Sequence, residues 1–127
     1  MKTTAVAALI LCTGILLGAF GAHGLDGKVS ADRIETWNTA ALYHLVNGLG
    51  LLMLGIWRRF ETESVPLGVI RLLVFGITIF AGSLYTLVLL DLAILGAITP
   101  IGGLALSIAW AWLGIHLFKQ QKNPISG

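Results

Sequence analysis

The chain has 127 residues, 57% of them hydrophobic and only 11% charged, with a net charge of +2, a pI of 9.0 and a mean hydropathy of +0.91. Soluble domains carry about 25% charged residues, so this chain cannot cover a water-facing surface, and its solvent is lipid. The basic balance does not mark a nucleic-acid binder, because the few positive residues sit next to apolar spans, where they act as topology signals. The single cysteine, Cys12, excludes an intramolecular disulfide, a Cys-x-x-Cys redox pair and a cysteine-rich zinc site. It follows Leu11, where a lipoprotein signal would want a small residue, so it is expected to be a buried, inert thiol.

A positive start at Lys2 precedes an apolar run from Thr4 to Ala22. Ala19-Phe20-Gly21 resembles a signal-peptide cleavage site, but the run is long enough to span a bilayer, and Gly14, Gly18 and Ala22 recur every fourth position as a small-residue packing stripe. A retained first helix over about 4–23 is expected. A polar turn follows, and Asp32 with Glu35 fits a capping-box-like start for a second helix, about 33–57, closed by Arg58-Arg59. The connection 58–65 is short, so helices two and three should be antiparallel neighbours. Pro66 suits the first turn of a third helix, about 66–91, with Thr78, Gly82 and Thr86 on one stripe. Thr99-Pro100 reads as the cap and first residue of a fourth helix, about 100–118, with Gly103, Ser107 and Ala111 as another small stripe. The expected fold is one all-α domain, an integral membrane four-helix bundle.

Four spans put both termini on one side. Lys2, Arg58, Arg59, Arg71, Lys119 and Lys122 fall on that side and only Lys28 and Arg33 on the other, which predicts cytoplasmic termini. With this topology His23, Asn38, Tyr43, His44, Ser83, Tyr85, Thr86, Asp91 and Thr99 lie in or near the outer half of the bilayer, and Asn47 near its middle. The inner half holds only Arg71 and His116, which snorkel to the interface.

The stretch 37–47, Trp-Asn-Thr-Ala-Ala-Leu-Tyr-His-Leu-Val-Asn, carries the densest set of these polar groups. Tyr43 and His44 lie four and three residues before Asn47, so the three share a region of helix surface that should face the bundle. Two readings follow. In the structural one, His44 and Asn47 hydrogen-bond to Ser83, Tyr85 or backbone and fix helix register. In the functional one, His23, Tyr43, His44, Asn47, Tyr85 and Asp91 enclose an outward-facing pocket for a small ligand, a lipid headgroup or a proton. A metal site from His23, His44 and Asp91 lacks tight ligand spacing, and a haem held between His23 and His44 is permitted by topology but required by nothing. Glycine-rich phosphate loops, Gly-x-Ser-x-Gly and His-Glu-x-x-His are absent, so the chain is expected to be no enzyme and to carry no cofactor or metal.

Taken together, Gly18-Ala19-Phe20-Gly21-Ala22-His23, Thr39 with Tyr43-His44, Gly82-Ser83-Leu84-Tyr85, Thr99-Pro100-Ile101-Gly102-Gly103 and Trp110 resemble the YgdD/YwdK-like family of small bacterial inner-membrane proteins. The resemblance covers essentially the whole chain. It implies four transmembrane helices and a multi-pass location in the bacterial inner membrane, and it transfers no catalytic residues, since that family is a domain of unknown function. The chain departs from the family at Asn47, where histidine is often found, which weakens a histidine-pair role for helix two. The resulting expectation is a small helix-packing protein with the lipid bilayer and a homo-oligomer or larger membrane complex as partners. The alternative is a binding or transport protein built on the outer polar cluster.

Overall fold

The computed structural model describes residues 2–121. Its regular structure is wholly helical: α1 Thr3–His23, α2 Ala31–Phe60, α3 Leu67–Leu90 and α4 Thr99–Gln121, with short 3-10 helices at Thr62–Ser64 and Ala93–Ala97 in the last two connections. Four helical spans are long and apolar enough to cross a membrane. At about 1.5 Å per residue, α1 matches a hydrocarbon core of about 30 Å. The 30 residues of α2 overshoot that thickness, which carries its charged ends, Asp32 to Glu35 and Arg58 to Arg59, into the headgroup layers.

Local chemistry sets the helix ends, at three points differently from expectation: Pro66, extended at ψ 138°, precedes α3 as its cap residue and is not part of its first turn, and the starts of α2 and α4 also differ. Ser30, not Asp32, caps α2: extended at φ −65° and ψ 161°, it accepts the Arg33 N–H on its hydroxyl at 3.2 Å. Asp32 thereby falls in the first turn, where its charge complements the helix dipole. Thr99 does not cap α4. The preceding 3-10 helix runs straight into it through Ile98 N–H to Leu95 O and Ile101 N–H to Ile98 O, so the Thr99 hydroxyl turns back to the Leu95 carbonyl at 3.3 Å instead. At the C-terminus of α3, Asp91 takes the left-handed conformation at φ 51°, and Leu92 N–H bonds the Leu87 carbonyl, a Schellman-type ending. Arg58 donates to the carbonyls of Thr62 and Val65, and His116 and Gln120 both donate to that of Glu63, which pins the connection between α2 and α3.

α2 and α3 form the middle pair, with α1 packed on α2 and α4 on α3. Glycines set the approach. A Cβ on Gly21 would lie 2.3 Å from Cδ1 of Trp37, and one on Gly102 would lie 2.4 Å from the backbone nitrogen of Phe80. Along α1 and α2, Gly55 meets Thr3 and Thr4, Gly48 meets Ile10 and Leu11, and Gly14 meets His44 and Leu45. Along α3 and α4, Gly68 meets Trp112 and Gly76 meets Leu106. One apolar core centres on Leu51, Val65, Val69, Ile70, Leu73 and Ala109, and a second on Trp37, Ala40, Ala81, Leu84, Tyr85 and Val88.

Three packing expectations need correction. Cys12 is exposed rather than buried, because α1 packs mainly on α2 and leaves most of its circumference uncovered. Thr78 and Thr86 also face outward, their hydroxyls donating to the Val74 and Gly82 carbonyls of their own helix at 2.8 and 2.7 Å, so among the described residues these side chains bond to no other helix. Ser107 and Ala111 on α4 are likewise exposed.

These contacts predict a sharp contrast between glycines. Gly102→Ala forces backbone apart from backbone and should lower stability by about 1–3 kcal/mol. Gly82→Ala, whose Cβ would meet nothing within 4 Å, should leave it unchanged or slightly raised. Thermal melting by circular dichroism in detergent measures both, and equal losses would show that the approach at Gly102 is not as tight as described.

Candidate functional site

The polar residues of α2 face two directions and make two separate connections. His44, 7% exposed, lies between α1 and α3. Its Nδ1 is 3.0 Å from the Tyr85 hydroxyl and its Nε2 is 3.3 Å from Oγ1 of Thr13. The proton positions follow from counting donors. The Thr13 hydroxyl donates its single proton to the Ile10 carbonyl at 2.9 Å, so towards His44 it can only accept. Nε2 therefore carries the hydrogen, Nδ1 is the acceptor, and Tyr85 donates to it. The result is a directed line across three helices: Tyr85 O–H to His44 Nδ1, His44 Nε2–H to Thr13, Thr13 O–H to Ile10 C=O. Both ring nitrogens of His44 are occupied by it.

Trp37 holds this line in place. Fully buried, it packs at a tilt against Tyr85, with ring centroids 4.6 Å apart and planes at 53°, and against Phe20 at 5.6 Å and 55°. Its indole N–H donates to the Leu17 carbonyl at 2.7 Å. That carbonyl lies one turn before Gly21, and the missing Cβ of Gly21 is what lets the indole reach helix backbone. The second connection runs to α4. Asn47, also 7% exposed, donates from Nδ2 to the Tyr43 carbonyl at 3.0 Å and accepts on Oδ1 from Trp110 Nε1 at 2.8 Å. The Trp110 ring crosses Gly50, where a Cβ would come within 2.6 Å of it. A third, smaller contact joins α3 to the start of α4: the Ser83 and Thr99 hydroxyls meet at 2.7 Å, one donating to the other, and the accepting hydroxyl turns its own proton to its helix carbonyl, Phe80 at 3.0 Å from Ser83 or Leu95 at 3.3 Å from Thr99.

The structure thus joins His44 to Tyr85 directly and Tyr43 to Asn47 through the Tyr43 carbonyl, and places Ser83 beside Thr99. It does not bring the other expected members to them. His23 and Asn38 are exposed. The side chain of Asp91 is 84% exposed and pairs with Arg33 at 3.0 Å, outside the buried set. The Tyr43 ring, 45% exposed, packs on Phe80 at 4.7 Å. Among the described residues no three His, Cys, Asp or Glu side chains converge, and no buried side-chain nitrogen or oxygen lacks a partner. A groove of about 200 Å³ runs past Leu42, Tyr43, Val46 and Asn47, open and almost wholly apolar. Thr13, the Leu17 carbonyl and the Asn47 partner Trp110 are the contributors that sequence reasoning missed. Of the small positions expected to pack on α1, Gly14 and Gly18 do face α2, but Ala22 is exposed and Gly21 meets Trp37 in its place; none of them pointed to Thr13.

The profile of the family described as Protein of unknown function (DUF423) matches residues 17–103. The chain belongs to that family. The match takes in Leu17, Trp37, His44, Asn47, Tyr85 and Thr99, while Thr13 and Trp110 lie outside it. Among curated relatives, the UPF0382 membrane protein SSP2132 of Staphylococcus saprophyticus is 48% identical over 103 residues, covering 80% of this chain and 84% of the relative. The UPF0382 membrane protein SH2409 of Staphylococcus haemolyticus is 45% identical, covering 86% and 90%. The UPF0382 membrane protein YwdK of Bacillus subtilis is 39% identical, covering 81% and 85%. No solved structure matches the chain. This DUF423 chain is an integral membrane protein whose family has no assigned biochemical role.

A double-mutant cycle measures the line directly. Tyr85→Phe and His44→Leu should couple by about 0.6 kcal/mol, and by no more than about 1.7. Tyr85→Phe with Asn47→Leu should be additive, because those residues belong to separate connections. Equal coupling in both cycles, read by unfolding in mixed micelles, would show one shared network instead of two.

Proposed function

We propose that this protein is a structural, helix-packing component of the bacterial inner membrane, an antiparallel four-helix bundle with both termini in the cytoplasm, assembling with copies of itself or within a larger membrane complex. The observation that carries this reading is that the polar side chains buried between the helices in the outer half of the bundle are matched to one another and to backbone. His44, Asn47, Tyr85 and Ser83 have found partners on neighbouring helices, so their hydrogen bonds serve helix position. Meanwhile Thr78 and Thr86 on α3, and Ser107 and Ala111 on α4, present small side chains to the outside, where a further helix could approach closely.

The descending pairing of α1 with α2, from Thr3 beside Gly55 to Gly21 beside Trp37, supports antiparallel neighbours. So does the pairing of α2 with α3 through Trp37 and His44 with Tyr85, and Arg58 with Val65. Lys2, Arg58, Arg59, Arg71 and Lys119 at one end, against Lys28 and Arg33 at the other, favour cytoplasmic termini. Lys122 lies outside the described residues.

Two measurements test this. In a Cys12→Ser background, a cysteine in place of Lys28 should react with an impermeant maleimide from the periplasmic side, and one in place of Glu63 should react only after permeabilisation. The reverse pattern inverts the topology. In the same background Thr86→Cys should form an intermolecular disulfide in membranes, whereas monomers by both crosslinking and native-detergent mass spectrometry would defeat the assembly reading. The rival, a polar pocket for a small ligand or proton, requires that His44→Ala abolish a ligand- or pH-dependent response in a protein that still folds.

A further inference from the structure

At the end of the bundle opposite Asp91, an open cleft of about 560 Å³ lies between the start of α1 and the end of α2, lined by Lys2, Thr3, Thr4, Ala5, Gly55, Arg58, Arg59 and Thr62. We propose that this cleft binds a phosphate group, in the first instance that of an anionic phospholipid headgroup.

Three independent features converge on it. The first is uncompensated charge: Lys2, Arg58 and Arg59 line the cleft, and among the described residues the only ion pair is Arg33 with Asp91. The nearby Glu61 carboxylate instead accepts from the Trp57 indole at 3.3 Å. The second is the first turn of α1. Its cap residue, Lys2, makes no side-chain capping bond, so the N–H groups of Thr3, Thr4 and Ala5, all cleft residues, carry the positive end of a 21-residue helix without a capping acceptor. The third is Thr3, only 5% exposed and with no hydrogen-bond partner for its hydroxyl among the described residues. No buried side-chain oxygen is left unpartnered, so that hydroxyl keeps an opening, and the residue opens onto the cleft.

Gly55 makes the arrangement possible. A Cβ there would lie 3.1 Å from the Thr4 nitrogen and 3.0 Å from Cγ2 of Thr3, so its absence lets the start of α1 sit against α2 one turn before Arg58 and Arg59. Backbone N–H groups, hydroxyls, the Lys2 ammonium and the Arg59 guanidinium form the donor set that a phosphate takes, with Arg58, whose Nη1 is held by the Thr62 and Val65 carbonyls, adding its charge. The position at a helix end places the site at headgroup depth.

The test uses full-length protein in detergent and in nanodiscs. Native mass spectrometry would score retention of phosphatidylglycerol against phosphatidylcholine, and phosphorus NMR line broadening would score inorganic phosphate. The paired variant Lys2→Gln/Arg59→Gln removes two exposed cleft cations, and Arg71→Gln removes an exposed cation at the same end outside the cleft. Thermal melting checks that both fold. The expected result is that the paired variant retains phosphatidylglycerol about tenfold less than the parent, while Arg71→Gln stays within about twofold. Broadening of inorganic phosphate that the same pair abolishes, without selective lipid retention, would keep the phosphate site and assign it to a free phosphate group. Equal losses for the paired variant and Arg71→Gln, or no loss in either assay, would overturn the proposal.

Discussion

Lipid offers no hydrogen bonds, so each polar group that these helices carry into the bilayer must be answered by another part of the protein. Trp37 is where that constraint is met first. It is fully buried, donates to backbone on α1 and supports the Tyr85 ring on α3, so one side chain of α2 fixes the positions of both neighbours. With Tyr85 held there, its hydroxyl reaches His44, and His44 in turn reaches Thr13. The line across three helices depends on the indole, and the indole depends on Gly21 having no side chain.

The same device recurs at α4. Trp110 lies over Gly50 and reaches Asn47, and Trp112 lies over Gly68. Glycine inside a helix costs about 1 kcal/mol relative to alanine, yet the four α-helices hold 12 of them. Where an indole lies on a glycine, a broad apolar surface is buried and, at Gly21 and Gly50, a polar N–H finds an acceptor. In lipid, where apolar burial alone does not drive helices together, such close packing and the bonds it permits replace the hydrophobic effect.

Sequence patterns revealed the four apolar helices because hydropathy and length decide which segments can cross a bilayer. The polar face of α2 was legible for a related reason: Tyr43, His44 and Asn47 fall within a turn of one another in an otherwise apolar segment. What each would bond to was not, since a partner is chosen by the rotation and register of a neighbouring helix, and neither is written in local spacing. Thr13 looked like an ordinary residue of an apolar run. His23 ends α1 and Asp91 caps α3, ten residues beyond Thr13 and six beyond Tyr85. At about 1.5 Å per residue both sit outward of the cluster, a separation that placing them all in the outer half of the bilayer did not resolve. The start of α2 failed on a finer scale: Asp32 and Ser30 are both good caps, and the backbone turn made extended at Ser30 selected the serine.

The central claim is that the polar seam sets the register of α1 on α2, and site-directed disulfide formation in membranes tests it most directly. A Cβ on Gly18 would lie 3.9 Å from that of Ala41, within disulfide range. In a Cys12→Ser background, Gly18→Cys with Ala41→Cys should therefore crosslink in preference to Gly18→Cys with Leu45→Cys, one turn away. Replacing His44 by Leu and Tyr85 by Phe should erode that preference. A preference that is unchanged after the seam is removed, or that favours position 45 from the start, would contradict the account.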